Sequence, residues 1–387
     1  MLRRYTYIIT VWILLVSQTY AQGVAVGTRI DLTNKLQLNQ GTTGQFAQLF
    51  IPDYFVPDSS GQFTLVFHLH SASWAAEDEV YRSATNAILF NIHLGGLSSP
   101  YQNYFSDATR YSAILDTVVS LLQEQNILPG ATLGRVIMTS FSAGYAGVRE
   151  ILKTAAYYNQ ISALTLADGL HSSSDPGLMA IQMADFLRFA RDARAGEKVM
   201  LLTHSSITTS GYQSTTQTAN YLIAGLNATR VPDSTVDEIG TRYSRCDTGN
   251  FHLKGYLGQT ANDHLQHLYG MYLMLERAVD ILDSGVMNLD EETTQPKTLN
   301  LYSYPNPFNT TTTIHFTLPE RSLLRCSVYD CLGREIVVLF AGVKEAGEQS
   351  LAWSATDHKG RPVSSGLYLY RFQLGEYIET GKLLLLR

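Results

Sequence analysis

Ser142 lies in a run of small residues that has the form expected of a hydroxyl nucleophile. The run reads Ser140-Phe141-Ser142-Ala143-Gly144; it follows the apolar residues 136–138, and apolar residues recur at helical spacing directly after it. A serine held between a strand and a helix N-terminus exposes its Oγ, while the free N–H groups of the first helical turn point toward an oxyanion forming beside it. This arrangement predicts attack by Ser142 on a carbonyl carbon.

The same run resembles the nucleophile elbow of the α/β-hydrolase superfamily, G-x-S-x-G. Ser140 stands in place of the first glycine, whereas Ala143 and Gly144 remain small where the backbone must pass closely. The resemblance implies an α/β fold with a mostly parallel sheet flanked by helices, and a Ser-His-Asp triad in the chain order serine, acid, histidine. An ordinary strand-to-helix connection that contains serine is the alternative.

The base and the acid follow from this resemblance. The histidine of the superfamily lies after the last strand or at the start of the next helix, which implies His264 as the base. His267, one helical turn later and on nearly the same face, is the alternative base. Asp168, directly after the predicted strand 162–167, is the implied acid, because some lipase-like members place theirs there; a simple turn aspartate is the competing interpretation. Three later carboxylates remain as alternatives: Asp233, Asp237 and Asp247.

A second turn, residues 70–74 (HSASW), resembles the His-Gly-x turn that helps to form the oxyanion hole in the superfamily. Ser71 replaces its glycine, so it stays open which N–H of residues 71–73 points inward. The resemblance implies the N–H groups of Ala72 and Ala143 as donors to the oxyanion. The side chains expected to line a substrate pocket are Trp74, Tyr145, His171 and His204.

Strands and helices alternate along the first two thirds of the chain. Residues 22–57 alternate apolar and polar residues, which predicts an opening antiparallel hairpin. Strands are predicted at 63–70, 87–94, 135–140, 162–167, 198–203 and 251–257, and helices at 111–125, after Ser142, and at 178–195, 215–224 and 263–282. Such alternation predicts a parallel sheet with functional groups at the carboxyl ends of its strands.

Composition excludes several classes of protein. The 387 residues are 45% hydrophobic and carry a net charge of −6 without a basic cluster, so neither nucleic acid nor an anionic membrane is an expected partner. Cys246, Cys326 and Cys331 are too few for a disulfide framework, and buried free thiols are predicted, although Cys326 and Cys331 remain a possible pair. No metal or cofactor motif stands out, and none is predicted.

Residues 1–21 predict a secretory signal peptide. Arg3 and Arg4 precede an apolar core at 7–16, and small residues end the segment at Ala21. The apolar core is shorter than the roughly 20 residues that span a bilayer. No second long apolar stretch follows, so no transmembrane segment is predicted in the mature chain.

The last 90 residues differ in character from the rest. A polar, Thr-rich stretch at 288–297 predicts a linker, and short strands between Gly and Pro residues after it predict a small Ig-like β-sandwich. Residues 304–309 (YPNPFN), 332–335 (LGRE), 365–368 (SGLY) and 382–385 (KLLL) resemble the type A C-terminal sorting domain of type IX secretion. That resemblance implies the secretion machinery as the partner of residues 298–387. A carbohydrate-binding or adhesive sandwich is the alternative.

Together these features predict four segments: a signal peptide (1–21), an α/β-hydrolase domain (22–287), a linker (288–297) and a sorting domain (298–387). The predicted function is that of a secreted or surface-attached serine hydrolase of small or polymeric carboxylic esters. A secreted peptidase or amidase is one alternative. The other is an exported binding protein that keeps the hydrolase fold without its chemistry.

Overall fold

The computed structural model describes residues 25–38, 44–58, 60–284, 301–318, 322–330, 333–374 and 377–386. The predicted signal peptide, the predicted linker and Cys331 lie outside these residues. We refer to the described residues of 25–284 as the amino-terminal unit and to those of 301–386 as the carboxyl-terminal unit.

The amino-terminal unit is built on a twisted sheet that is mostly parallel. Its strands are β1 (Gly27–Asp31), β2 (Phe46–Pro52), β3 (Gln62–Leu69), β4 (Ala87–His93), β5 (Thr132–Phe141), β6 (Ile161–Ala167), β7 (Ser172–Ser173), β8 (Val199–His204), β9 (Tyr212–Gln213), β10 (Val231–Pro232), β11 (Arg242–Thr248) and β12 (Phe251–Tyr256). The order across the main sheet is β1-β2-β4-β3-β5-β6-β8-β12-β11-β10, and β7 pairs with β9 separately. Neighbours from β4 to β12 are parallel, while antiparallel pairs close both edges. The predicted α/β class and the opening hairpin are confirmed.

Helices cover both faces of this sheet. They are α1 (Ser73–Arg82), α2 (Ser98–Phe105), α3 (Thr109–Glu124), α4 (Tyr145–Leu152), α5 (Ala155–Gln160), α6 (Pro176–Arg194), α7 (Thr215–Gly225), α8 (Ala261–Tyr269) and α9 (Met271–Ser284). Side chains alternate along each strand, so Leu65 and Phe67 pack into the core beneath α2–α4, α6 and α7, whereas Val66 packs beneath α1, α8 and α9. Among the described residues, no helix is long and apolar enough to span a bilayer.

Several elements of this unit were not predicted from the sequence, among them helices α1, α2 and α5 and strands β10 and β11, and one predicted helix is divided. The helix predicted at 263–282 is two helices, α8 and α9, interrupted at Gly270. A Cβ on Gly270 would lie 2.2 Å from Cγ1 of Ile239, so a larger residue between the two helices would require Ile239 to shift. Helix α1 was not predicted, because the buried residues Glu77, Asp78 and Glu79 obscure its apolar face. Such burial depends on distant partners, as in the ion pair between Glu77 and Arg29 at 2.6 Å.

The carboxyl-terminal unit is all-β, as predicted. Its strands are β13 (Tyr302–Tyr304), β14 (Thr312–Leu318), β15 (Ser322–Asp330), β16 (Glu335–Lys344), β17 (Gly347–Trp353), β18 (Gly366–Leu374) and β19 (Tyr377–Leu385). They form two sheets, β13-β14-β17 and β16-β15-β18-β19, which share one apolar core around Phe316, Trp353 and Phe372. Cys326 in this core and Cys246 in the other unit are buried thiols with no disulfide among the described residues.

Candidate active site

Three neighbouring strands end in backbone turns of the same unusual kind. His70, Ser142 and Asp168 directly follow β3, β5 and β6, and their φ angles are +78°, +46° and +39°. Residues other than glycine rarely adopt this left-handed conformation, and such strain is concentrated at functional sites. Because the three strands are parallel neighbours, their carboxyl ends bring these residues to one edge of the sheet.

The turn at Ser142 is tight because β3 passes close to it. Ser142 is half-buried and opens a single 3-10 turn, Ser142–Gly144, that leads directly into α4. A Cβ on Gly144 would lie 2.4 Å from the carbonyl oxygen of Leu69, the last residue of β3. The small residue two positions after the serine is therefore a steric requirement of this packing.

Replacing Gly144 with Ala is expected to destabilise the protein by about 2–3 kcal/mol, because the new methyl group meets a backbone oxygen that cannot move independently. Gly130→Ala is a matched control, since a Cβ there meets no atom within 4 Å. Its free energy of unfolding is expected to stay within about 0.5 kcal/mol of wild type. Urea unfolding followed by circular dichroism measures both. Equal stability of the two variants would contradict the close passage of β3.

Asp168 and His264 form the central hydrogen bond of this edge. Nδ1 of His264, in the first turns of α8, lies 2.7 Å from Oδ2 of Asp168. Asp168 is 2% exposed, whereas the His264 side chain is 26% exposed. When Nδ1 donates its proton to a carboxylate, Nε2 of the neutral ring is left as an acceptor.

Packing joins this pair to the serine turn. The ring of Phe141, the residue before Ser142, lies 4.6 Å from the ring of His264. Gly169, the residue after Asp168, is so close to the serine that a Cβ there would lie 2.5 Å from the Ser142 amide nitrogen. The three residues predicted from sequence to form a triad thus belong to segments that contact one another.

The second oxygen of Asp168 is held by two donors that sequence reasoning missed. Oδ1 accepts hydrogen bonds from the Ser205 amide at 2.9 Å and from Oγ1 of Thr215 at 2.7 Å. Burial alone would raise the pKa of Asp168, but the hydrogen bond from His264, electrostatic interactions with the rings of His267 and His264, and the Ser205 amide hold it well below its usual range. The capping box of Ser214 and Gln217, visible in the sequence, marks the start of α7 and was the available signal for Thr215.

The alternative base, His267, has a different environment. It is 1% exposed, and its Nδ1 lies 2.9 Å from Oγ1 of Thr203. Its ring packs edge-on against Tyr256, with 5.3 Å between the ring centres. Burial lowers the pKa of His267 to about 4. The ring is therefore neutral and enclosed, and its bonded nitrogen contacts a hydroxyl group instead of the carboxylate.

The alternative acids are engaged elsewhere. Asp237 pairs with Arg242 at 2.7 Å and accepts a hydrogen bond from the Tyr256 hydroxyl at 2.8 Å. Asp233 lies 3.5 Å from Arg242 as well. Asp247, on β11, contacts Arg245 on the same strand and His252 on β12. Among these carboxylates, Asp168 is the one that the structure brings to His264.

The two predicted oxyanion donors occupy equivalent positions after the ends of the adjacent strands β3 and β5. Leu69 of β3 is in register with Ser140 of β5, so Ala72 and Ala143 each follow a paired position by three residues. Ala72 is the exposed N-cap residue of α1, and Ala143 is buried inside the 3-10 turn. Trp74, in the first turn of α1, stacks on Tyr269 at the end of α8, with 6.0 Å between ring centres. The oxyanion turn is thereby linked to the helix that carries His264.

Of the remaining predicted pocket residues, Tyr145 and His171 lie together and His204 does not join them. The rings of Tyr145 and His171 pack edge to face at 5.5 Å, and Tyr212, which is 48% exposed, packs on His171 at 5.2 Å. His204 is 2% exposed, with Nε2 3.0 Å from Arg230 and Nδ1 3.0 Å from the Ser205 carbonyl oxygen. The His204 side chain therefore lies against Tyr243 of β11 and Gly255 of β12 instead of beside Tyr145 and His171.

In the part of the chain that the structure describes, no group of three or more His, Cys, Asp or Glu side chains is arranged to hold a metal ion.

The carboxyl-terminal unit matches a known protein-family model. The family model described as "Secretion system C-terminal sorting domain" matches residues 302–385. Residues 302–385 are a type IX sorting domain. Such a domain implies export to the cell surface or beyond. The sorting domain also implies an interaction with the type IX secretion machinery.

Several solved structures are similar to parts of the chain. Dimeric latent PorU from Porphyromonas gingivalis is 18% identical over 22% of this chain, with a TM-score of 0.20, and the chain spans 9% of PorU's length. A cold-adapted esterase from an Arctic intertidal metagenomic library is 12% identical, with 65% of this chain and 92% of that chain covered and a TM-score of 0.36. For the siderophore hydrolase EstB from Aspergillus nidulans the identity is 10%, the coverages are 67% and 97%, and the TM-score is 0.36. No curated protein matches this chain in sequence.

Proposed function

We propose that the amino-terminal unit is a serine hydrolase that cleaves carboxylic esters outside the cell. The observation that carries the proposal is the 2.7 Å hydrogen bond between His264 and the buried carboxylate of Asp168, at the same sheet edge as the strained turn of Ser142. The sorting domain supports the extracellular location. Esters are preferred as substrates because their alkoxide leaving groups need less protonation than amines do.

In the proposed reaction, Oγ of Ser142 attacks the ester carbonyl carbon and its proton moves to Nε2 of His264. Asp168 stabilises the imidazolium ion that forms. The N–H groups of Ala72 and Ala143 donate hydrogen bonds to the tetrahedral oxyanion. The carbon–oxygen bond of the ester then breaks, and His264 returns its proton to the departing alcohol.

Water completes the cycle. A water molecule gives a proton to His264 as its oxygen attacks the acyl carbon of the acyl-enzyme. The bond to Ser142 breaks, His264 protonates the serine oxygen, and the carboxylic acid is released. No cofactor takes part in either half of this reaction.

A paired substrate panel tests the class of reaction. We expect p-nitrophenyl butyrate to be hydrolysed, the matching p-nitroanilide to be hydrolysed far more slowly, and a fluorophosphonate to add to the peptide that contains Ser142. Faster anilide turnover would favour a peptidase or amidase. Absence of both turnover and labelling in folded protein would favour a binding protein.

Thr215 is proposed as a positioning residue for Asp168. Thr215→Val keeps the side-chain shape but removes the hydroxyl that donates to Oδ1. A hydrogen bond to a charged group contributes about 1.5–3 kcal/mol, so kcat is expected to fall roughly tenfold to a hundredfold while KM changes little. Thr215→Ser retains the hydroxyl and should keep most of the activity. An equal loss of kcat in both variants would instead indicate a packing role.

A further inference from the structure

The two units meet around one carboxylate. Glu238, in the amino-terminal unit, pairs through Oε2 with Nη2 of Arg82 at 2.5 Å and through Oε1 with Nη1 of Arg371 at 2.5 Å. Arg82 ends helix α1, whereas Arg371 lies on β18 of the carboxyl-terminal unit. A single side chain therefore bridges cations from both units.

Two further hydrogen bonds cross the same junction. Nη1 of Arg325, on β15, donates to the carbonyl oxygen of Arg82 at 3.0 Å. Nε2 of Gln373, on β18, donates to Oε2 of Glu276 in α9 at 2.8 Å. A small cleft at this point is lined by residues of both units, which shows that the two surfaces approach each other closely. We use the name Glu238 junction for the residues that make these contacts. They are Arg82, Glu238 and Glu276 of the amino-terminal unit and Arg325, Arg371 and Gln373 of the carboxyl-terminal unit.

The carboxyl-terminal residues of the junction all belong to one sheet face. Arg325 is in register with Gln373, and Ser327 is in register with Arg371, so these side chains point to the same side of β15 and β18. The alternate residues on the two strands fill the apolar core of the carboxyl-terminal unit. The outer face of a small sandwich normally faces water, yet Ser327 is 1% and Gln373 is 5% exposed. This face is covered by the amino-terminal unit.

The electrostatics favour the docked arrangement. Burial alone would raise the pKa of Glu238, but the charges of Arg82 and Arg371 and a hydrogen bond from Tyr272 lower it. The guanidinium of Arg82 also lies 4.0 Å from the centre of the Tyr272 ring. Glu238 is therefore ionised within a site that two arginines and a tyrosine have shaped for a carboxylate. Removing one of the two arginines leaves the partly buried carboxylate of Glu238 with only one cationic partner.

We propose that the carboxyl-terminal unit docks on the amino-terminal unit through the Glu238 junction and stays bound when the peptide chain between the units is cut. The occupant of the amino-terminal side of this junction is the chain's own sorting domain. Cleavage of the connecting stretch by itself does not then free that domain. This inference is independent of the proposed ester hydrolysis.

The test uses the full chain with a site-specific protease sequence inserted within residues 288–297. After cleavage at neutral pH and low salt, the two pieces are expected to elute together on gel filtration. Arg371→Ala is expected to raise the dissociation constant of the two pieces at least tenfold, as measured by gel filtration of serially diluted samples. The pieces of this variant should also separate at a lower salt concentration than those of the wild type. Arg361→Ala is the matched control, because this arginine of the same unit pairs with Asp357 and its side chain is 69% exposed.

Two results would overturn the proposal. One is separation of the cleaved wild-type pieces under low-salt conditions with both pieces folded by circular dichroism. The other is identical association of Arg371→Ala and Arg361→Ala. Glu238→Gln provides a second variant from the opposite surface, so a folding defect of Arg371→Ala does not decide the outcome. That variant is also expected to weaken association, because glutamine keeps the shape but loses the charge.

Discussion

Ser142→Ala is expected to lower kcat for p-nitrophenyl butyrate by roughly 10⁵-fold, because the attacking oxygen is removed and only binding and oxyanion stabilisation remain. The rate of p-nitrophenol release, followed by absorbance, measures the effect. The far-ultraviolet circular dichroism spectrum should be unchanged, since Ser142 is half-buried in a turn and its hydroxyl fills no core position.

Ser140→Ala is the matched control for this prediction. Ser140 is fully buried two residues earlier, and its Oγ has no hydrogen-bond partner among the described residues. Removing a buried, unsatisfied hydroxyl costs little and can stabilise a protein by about 1 kcal/mol. We expect Ser140→Ala to retain activity. Turnover that survives in Ser142→Ala would reject Ser142 as the nucleophile.

His264→Ala and His267→Ala are expected to separate catalysis from stability. Loss of His264 removes the partner of Asp168 and should lower kcat by roughly 10⁴-fold or more. His267 has a pKa of about 4, so it has little driving force to accept a proton near neutral pH. Loss of its buried ring and of its bond to Thr203 should instead cost about 2–4 kcal/mol of unfolding free energy.

The comparison needs both measurements on both variants. Initial rates at saturating ester report kcat, and urea unfolding reports the free energy. We expect His264→Ala to unfold near the wild-type midpoint and the folded fraction of His267→Ala to turn over within about tenfold of wild type. If the two rate losses were exchanged, His267 would be the base and the assignment of His264 would fail.

The local sequence pattern was sufficient to predict the central strands of the sheet in the amino-terminal unit. Apolar runs located β3, β5, β6 and β8, because a strand buried on both faces must be apolar throughout. The small residues around Ser142 then led to the predicted nucleophile, and the resemblance to the hydrolase superfamily implied Asp168 as the acid. Helix α1 escaped prediction, because its acidic residues are buried only through partners far along the chain.

The sequence by itself determined the fold class, the serine turn and a short set of candidate partners, since each depends on residues close together along the chain. The sequence did not decide whether His264 or His267 is the base, because the two lie three residues apart on nearly the same face of one helix. Only the docking of α8 on the sheet decided that His264 contacts Asp168 while His267 contacts Thr203. The tertiary structure likewise brought Thr215 to Asp168 and Arg371 to Glu238. These pairs join residues that are tens to hundreds of positions apart along the chain. Their interaction energies depend on burial and on the distance between charges, which the local sequence pattern does not contain.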